Sequence, residues 1–515
     1  MFACVAVISF AVLLGVGDSA KILGVVPTPS ISHQVVFQPF FRELSLRGHE
    51  VTALTTDPMR DPKLSNLTEI DLHFSYRIWN EHIMKNALKF KTNPIGATID
   101  FYKSTIDIQD EQLRHPSVQA LIRGEEKFDL IIIESIMPAL FGFVHKFKCP
   151  YIMMFSQEAP SDYYKLMGNP THPILYPDAI FQYDQQLPFP QRLLAVLTMP
   201  LFPLFARYIF SMHDHLVQNH FGDDYPSIVE LMSKPDMLFV HTDQIFHKVR
   251  PLVPTVIQIG GGSHMRPIKP LPSELKNKLD NAEHGFVYFS LGSNVKSKDL
   301  PPELLDTILS TFAELPYTIL WKFEGAHLDG LSDNVITSPW LPQQDVLRHP
   351  NIKLFITQGG LQSLEEAMYS GVPILGVPFY GDQTGNVKRM EIGGTGLIVD
   401  YATVTKDEFK AKILEVAQNT RFRNKAKELA ALAQDQPMTG LERAVWWTEY
   451  VIRHKGASHL RSPLLDVPWY QYLLLDVLAV IASVMVIVGL LVFYIVRWFI
   501  GLLTCRRKKN EKKIQ

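Results

Sequence analysis

The stretch Ile352-Lys-Leu-Phe-Ile-Thr357-Gln358-Gly359-Gly360-Leu361-Gln362-Ser363-Leu364-Glu365-Glu366-Ala367-Met368 passes from a short apolar run into a helical pattern across two glycines. A continuous apolar run of this length suits a strand buried on both faces of a parallel sheet. The first N–H groups of a helix have no partner within it, so the Gly-Gly turn suits an anion such as a diphosphate. Beyond the turn, Gln362 and Glu366 are four residues apart and Ser363 and Glu366 three, which places these polar groups on one face. Leu361, Leu364 and Met368 share another, the core face.

The same alternation extends in both directions. Upstream lie Phe286-Val-Tyr-Phe-Ser-Leu291 and Tyr317-Thr-Ile-Leu-Trp-Lys322, downstream Val372-Pro-Ile-Leu-Gly-Val377 and Gly396-Leu-Ile-Val399. Thr405-Lys-Asp-Glu408 reads as a capping box opening a helix with Phe409 and Ile413 inward. A first half has the same character: Lys21-Ile-Leu-Gly-Val-Val26, a Pro/Ser loop, Val36, Phe37, Phe40, Phe41 and Leu44 at helical spacing, then Val51-Thr-Ala-Leu-Thr55, with further runs at 128–133 and 151–155. Gly260-Gly-Gly262 followed by Pro267, Pro270 and Pro272 breaks the pattern and suits a linker. The fold class is therefore α/β, in two halves.

A chain of 515 residues, 47% hydrophobic and 20% charged, buries too much surface to be disordered and has room for two large domains with appendages. Fifty Lys and Arg against 52 Asp and Glu leave a net charge of −2 and no global attraction for a nucleic-acid backbone. Cys149 stands alone between Cys4 and Cys505, so no disulfide is expected within the body. Residues 1–19 read as a cleaved signal peptide, with Gly17 and Ser19 at the small positions before the cut. Val477 to Val496 is uncharged and long enough to span a bilayer, with Trp469, Tyr470, Tyr472, Tyr494 and Trp498 at its ends. The basic segment after it predicts a cytosolic tail and a lumenal body, a single-pass type I arrangement. Lys512-Lys513-Ile514-Gln515 resembles a dilysine retrieval signal, which implies the endoplasmic reticulum membrane. Asn66-Leu67-Thr68 is a glycosylation sequon that a lumenal body would expose to modification.

Two parallel sheets facing each other place ligands at the carboxyl ends of their strands. His33 follows the first strand by a loop and Glu134 directly follows the run ending at Ile133, so both stand where that rule puts chemistry.

The chain resembles the UDP-glycosyltransferase family, in its membrane-bound animal, insect-like form, from the first strand to Arg461. The match is densest at Phe286 to Ser293, Trp340-Leu-Pro-Gln343, the strand-helix stretch quoted above, and Gly371-Val-Pro373 to Gly381-Asp-Gln383. The resemblance implies the GT-B architecture: an acceptor-binding Rossmann-like domain over 20–262 and a UDP-sugar-binding one over 263–440. A segment at 441–472 would return to the first domain and approach the membrane, followed by a transmembrane helix over 473–497 and a tail over 498–515.

Carried over by position, Trp340 stacks on uracil with Gln343 beside the nucleotide, and Glu366 accepts the ribose hydroxyls. Ser293, Gln358, Gly359, Gly360 and Ser363 surround the diphosphate, Gln362 belongs to the same UDP-sugar site, and Asp382 and Gln383 bind sugar hydroxyls. Two positions depart from the commoner family pattern: Gln358 stands where many relatives carry histidine, and Glu134 where many carry aspartate. The implied reaction is inverting transfer of a hexose, glucose favoured, to a hydroxyl of a small lipophilic acceptor, with His33 as base assisted by Glu134. No cofactor is expected beyond the UDP-sugar co-substrate, and no metal, since Asp-x-Asp occurs nowhere in the chain. Aromatics from Tyr163 to Phe210 would wall the acceptor site. Expected partners are the donor, the acceptor and the bilayer, with self-association into a homo-oligomer compatible. The competing reading is a non-catalytic relative that binds a lipophile or UDP-sugar.

Overall fold

A computed structural model of the protein describes residues 19–84, 94–178, 181, 187–247, 249–325 and 328–511, with side chains as far as residue 504 apart from Pro94. The signal peptide, except Ser19, and Lys512 and Lys513 lie outside the described residues. Residues up to Arg461 form one compact unit and those from Ser462 onward another.

The first unit holds two all-parallel sheets. One contains β1 (Lys21–Val26), β2 (Glu50–Thr55), β3 (Leu67–Asp71), β4 (Leu130–Glu134), β5 (Tyr151–Phe155), β6 (Met237–Val240) and β7 (Val256–Gln258), in the order 3-2-1-4-5-6-7. The other contains β8 (Phe286–Ser290), β9 (Thr318–Lys322), β10 (Val335–Ser338), β11 (Ile352–Thr357), β12 (Ile374–Gly376) and β13 (Gly396–Ile398), in the order 10-9-8-11-12-13. The central strands are apolar because both faces are covered, and every residue of β4, β5 and β8 is buried. Each order reverses once, between β1 and β4 (Val25 beside Ile133) and between β8 and β11 (Ser290 beside Thr357). These are the switch points at which strands part and leave a crevice beyond their carboxyl ends.

Helix α1 (Ile31–Leu46) buries Val36, Phe37, Phe40, Phe41 and Leu44 against the first sheet. It lies close because β1 has a glycine: a Cβ on Gly24 would stand 2.3 Å from the Phe41 ring. In the second half, α2 (Leu361–Tyr369) follows β11 and α3 (Gln383–Ile392) follows β12. Helix α4 (Gly440–His454) then packs Ala444, Val445 and Val451 into the same apolar cluster as β1 and α1, so the chain ends its compact body on the sheet where it began.

The second unit contains α5 (Leu475–Glu511), whose apolar part, Leu475–Thr504, is 30 residues with a mean hydropathy of 2.9, long and apolar enough to cross a membrane. Phe189–Phe221 passes the same test at 1.8, but belongs to the first unit as three short helices, Phe189–Thr198, Phe202–Ser211 and Asp214–Phe221.

Candidate functional site: a cleft between two switch points

At the first switch point, His33 occupies the first turn of α1 and Glu134 ends β4. The His33 Nδ1 lies 2.6 Å from Glu134 Oε1, and the Thr28 N–H donates to Oε2 at 3.3 Å. Glu134 is fully buried, whereas the His33 side chain is 18% exposed. A carboxylate only accepts, so the proton of a neutral imidazole belongs on Nδ1 and leaves Nε2 as the basic atom. Ser156, directly after β5, brings its hydroxyl oxygen to 2.8 Å from the same Nδ1.

Across the crevice, β11 turns into α2 through Gly359 at φ +88°, where a Cβ would stand 2.3 Å from Val387 Cγ2. Only glycine fits both the left-handed backbone and the contact. Gly360 caps α2 with extended backbone and no side-chain acceptor, so the first N–H groups face the crevice without a capping side chain. Gln358 is 6% exposed, and its Nε2 packs so closely on Gly292, in the loop after β8, that a Cβ there would be 2.2 Å away.

Glu366 is fixed by two glutamines: Gln343 Nε2 donates to Oε2 at 2.7 Å and Gln344 Nε2 to Oε1 at 2.9 Å. Gln343 also donates to Ser363 Oγ at 2.9 Å and accepts from the Tyr288 hydroxyl at 3.1 Å. Trp340 is 61% exposed at the mouth, with the Lys322 ammonium 5.4 Å from its ring centre. Asp382 borders the cleft and is exposed to it, with protein packed around its carboxyl. Desolvation lifts its carboxyl above the ordinary range, opposed by the Asn386 amide donating at 2.6 Å and by Arg389 and His33. Gln383 spends its carbonyl on the N–H groups of Phe379 (2.9 Å) and Tyr380 (3.2 Å).

His33, Ser293, Trp340, Gln343, Gln358, Gly360, Gln362, Ser363, Glu366, Asp382 and Gln383 thus line one cleft of about 990 Å³. Glu134 and Gly359 stand behind that wall, and Asn66 is elsewhere. The Asn66 amide nitrogen donates to the carbonyls of Ser45 (2.8 Å) and His49 (2.7 Å), so a glycan on it would displace at least one of these bonds. Gln362 lines the cleft but aims its amide across the domain junction, donating to the Ser156 carbonyl at 2.8 Å. Tyr163, Phe181, Phe202, Phe205 and Phe210 extend the cleft away from Trp340, Gln343 and Glu366, joined by Trp79, Phe101 and Tyr102 from helices that the sequence reading did not reach. Phe189 and Tyr208 point outward, 66% and 51% exposed.

Sequence reasoning also passed over Ser156, Gln344 and Asn386. Ser156 obeys the strand-end rule that found Glu134, Gln344 adjoins Gln343, and Asn386 follows Asp382 by one helical turn. Among the described residues, His241, His264 and Glu365 form the cluster whose donor atoms could converge on a cation, within 4.8 Å of one another. The His241 Nε2 to Glu365 Oε2 contact of 2.7 Å is already a direct hydrogen bond. Burial pushes Glu365 up, but the charge and hydrogen bond of His241, with His264 and His247, outweigh it and hold the carboxyl at about 2.

The family model for UDP-glucoronosyl and UDP-glucosyl transferase matches residues 20–510. The chain belongs to this family. It is 34% identical over 492 residues to UDP-glycosyltransferase UGT5 of Dactylopius coccus, covering 93% of this chain and 92% of that one. It is 32% identical to the ecdysteroid UDP-glucosyltransferase of Spodoptera littoralis nuclear polyhedrosis virus, covering 89% and 93%. It is also 29% identical to UDP-glucuronosyltransferase 2B15 of Homo sapiens, covering 96% of each chain. Among solved structures, the calicheamicin glycosyltransferase CalG4 superposes with a TM-score of 0.55 at 16% identity, covering 85% of this chain and 99% of that one. The kitacinnamycin glycotransferase gives 0.55 at 19%, covering 84% and 98%. The fold is GT-B, and the protein is an enzyme that transfers a sugar from a UDP-sugar to an acceptor.

Proposed function

We propose that the protein transfers glucose, with inversion and without a metal, to a hydroxyl of a small lipophilic acceptor, and that His33 is the general base. The observation that carries this reading is the 2.6 Å His33–Glu134 contact at the rim of a cleft whose opposite wall holds the donor-family residues. With its proton on Nδ1, His33 takes the acceptor proton at Nε2, and Glu134 stabilises the imidazolium that forms. The acceptor oxygen attacks the sugar carbon, and UDP departs toward the N–H groups at Gly360 and the head of α2. Glu366, held between Gln343 and Gln344, takes the ribose hydroxyls, Trp340 the uracil, and Asp382 and Gln383 the sugar. Ser293, Gln358 and Ser363 serve the phosphates.

Glucose is favoured over a uronic acid because each Lys or Arg among the described lining residues is already paired. Arg266 bonds Asp345 at 2.6 Å and Lys322 bonds Glu324 at 2.6 Å, leaving no unpaired cation for a sugar carboxylate. The aromatic extension of the cleft suits a lipophilic acceptor. The apolar part of α5, Leu475–Thr504, and the basic residues that follow it support a type I protein of the endoplasmic reticulum membrane with a lumenal body.

The test is His33→Ala assayed with UDP-glucose and a panel of phenols and sterols. Turnover should fall by about a hundredfold or more, the scale of general-base loss, while calorimetric UDP affinity is retained. Transfer at the unsubstituted rate would remove His33 from the mechanism. Glu134→Gln should lower turnover in the same assay with UDP binding intact.

A further inference from the structure

The loops that hold His33 are bonded to the loops that hold the donor. Gln362 lies on α2, beside Ser363 and one turn before Glu366, and its amide donates across the junction to the Ser156 carbonyl at 2.8 Å. The hydroxyl of Ser156 in turn lies 2.8 Å from His33 Nδ1. On the other side of His33, Asn294, next to Ser293, donates through Nδ2 to Ser30 Oγ at 3.1 Å. Ser30 caps the helix that carries His33, whose own N–H bonds the Ser30 carbonyl at 2.9 Å. Two side-chain amides from the donor half therefore bracket the imidazole.

We propose that Gln362 and Ser156 are positioning residues that align His33 only when the donor half is docked against it; the proposal rests on His33 being the base. A bare Nδ1 would face the carboxylate lone pairs at 2.6 Å, so Nδ1 carries the hydrogen and both Glu134 and Ser156 accept it. One acceptor fixes a distance, whereas two acceptors at different azimuths also fix the plane of the ring, and with it the direction of Nε2. Ser156 is buried, so its carbonyl finds no ready replacement when Gln362 withdraws. Movement of α2 on donor binding or release is thereby transmitted to the base. Gln362 accordingly acts on the base rather than on the nucleotide.

The experiment uses the full chain in detergent micelles, with UDP affinity by calorimetry and kcat and KM across pH. Gln362→Ala and Ser156→Ala should each keep UDP affinity within about twofold and lower kcat by about ten- to a hundredfold, the scale of a misplaced reacting group. Ser156→Thr, which keeps the hydroxyl, should recover most of the loss. The double variant should be no worse than the poorer single one, and neither substitution should matter in a His33→Ala background. UDP affinity falling in step with activity in Gln362→Ala would make it a nucleotide ligand and overturn the coupling, as would additive losses in the double variant. If His33→Ala is inactive but Gln362→Ala has normal kcat, the coupling fails and the base assignment stands; if His33→Ala turns over normally, both fail. Gln362→Ala carries the test alone if Ser156→Ala does not fold.

Discussion

Under the proposed function, Gln358 is the residue on which the strength of donor binding turns. Its carbonyl accepts from Thr357 Oγ1 at 3.2 Å, and its amide nitrogen sits between Gly292 and Gly360, the two backbones that would receive a diphosphate. A neutral amide donates without the charge assistance that roughly doubles such a bond. Gln358→His should therefore preserve activity and tighten UDP binding below about pH 6.5, the gain fading as the imidazole loses its proton. Calorimetry above and below that pH checks it; equal affinities throughout would mean that position 358 does not face the phosphates. At this scale the sequence was most legible where topology dictates position: His33 and Glu134 were found because they end or follow a strand. Ser156 satisfies the same rule and went unread. Gln362 was placed in the UDP-sugar site, and it does line the cleft, but helical spacing tells which face a residue shares and not what stands opposite, so its bond to the Ser156 carbonyl went unread.

Helix α4 shows what an element needs at its entry. Thr439 and Glu442 form a reciprocal capping box, Glu442 N–H to Thr439 Oγ1 at 3.1 Å and Thr439 N–H to Glu442 Oε2 at 2.8 Å. Between them Gly440 lies against the linker so closely that a Cβ would be 2.1 Å from the carbonyl oxygens of both Ile259 and Gly260. Gly440→Ala should lower the body's stability by about 1–3 kcal/mol, the cost of overpacking, and Thr439→Ala by about 1 kcal/mol. Thermal unfolding reads both, and an unchanged midpoint for Gly440→Ala would mean that α4 does not sit on the linker. The box read at Thr405 is only half made: Thr405 accepts from the Glu408 N–H at 3.3 Å, but the Glu408 carboxylate turns to Lys412 at 2.9 Å. An i+4 lysine competes for the carboxylate, and the four-residue motif does not reveal it. The helices from Phe189 to Ser211 were hard to orient for another reason. Both faces are apolar, so periodicity could not say that Phe202 and Phe205 turn inward while Phe189 turns out.

Among the described residues of the body, burial lowers four histidines, His49, His213, His247 and His264, below the ordinary range, His247 to about 3. An unfolded chain binds protons at these side chains near pH 6.5, where the folded one does not. Their contribution to stability is therefore fully present above about pH 6.5 and is lost as pH falls toward 3. The unfolding midpoint should decline from pH 7 to pH 5, and His247→Gln, which keeps an acceptor for the Asp243 N–H, should flatten that decline. A midpoint constant over this range would show that the buried histidines do not govern acid stability. The two sheets were legible as a whole because their central strands must be apolar throughout. Edge strands β3 and β10 were not, being half-exposed and of mixed character, and β6 and β7 also went unread.

The return of the chain to its first sheet has a consequence for how the molecule divides. The passage outward at Gly260 to Gly262 and the passage back before Thr439 run side by side. A Cβ on Gly261 would be 3.2 Å from the Gln436 amide, and Arg443 donates both to the Gln258 carbonyl at 2.7 Å and to Gln436 Oε1 at 3.1 Å. Topologically the second sheet with its helices is a cassette inserted into the first half, with its entry and exit tied together by one arginine. Such a cassette can be lifted out or exchanged without rethreading the rest, and the interrupted half can be closed with a short bridge. Under the proposed function, choice of sugar and choice of acceptor fall to parts of the chain that are separable in sequence yet joined across the cleft by the Gln362–Ser156 bond.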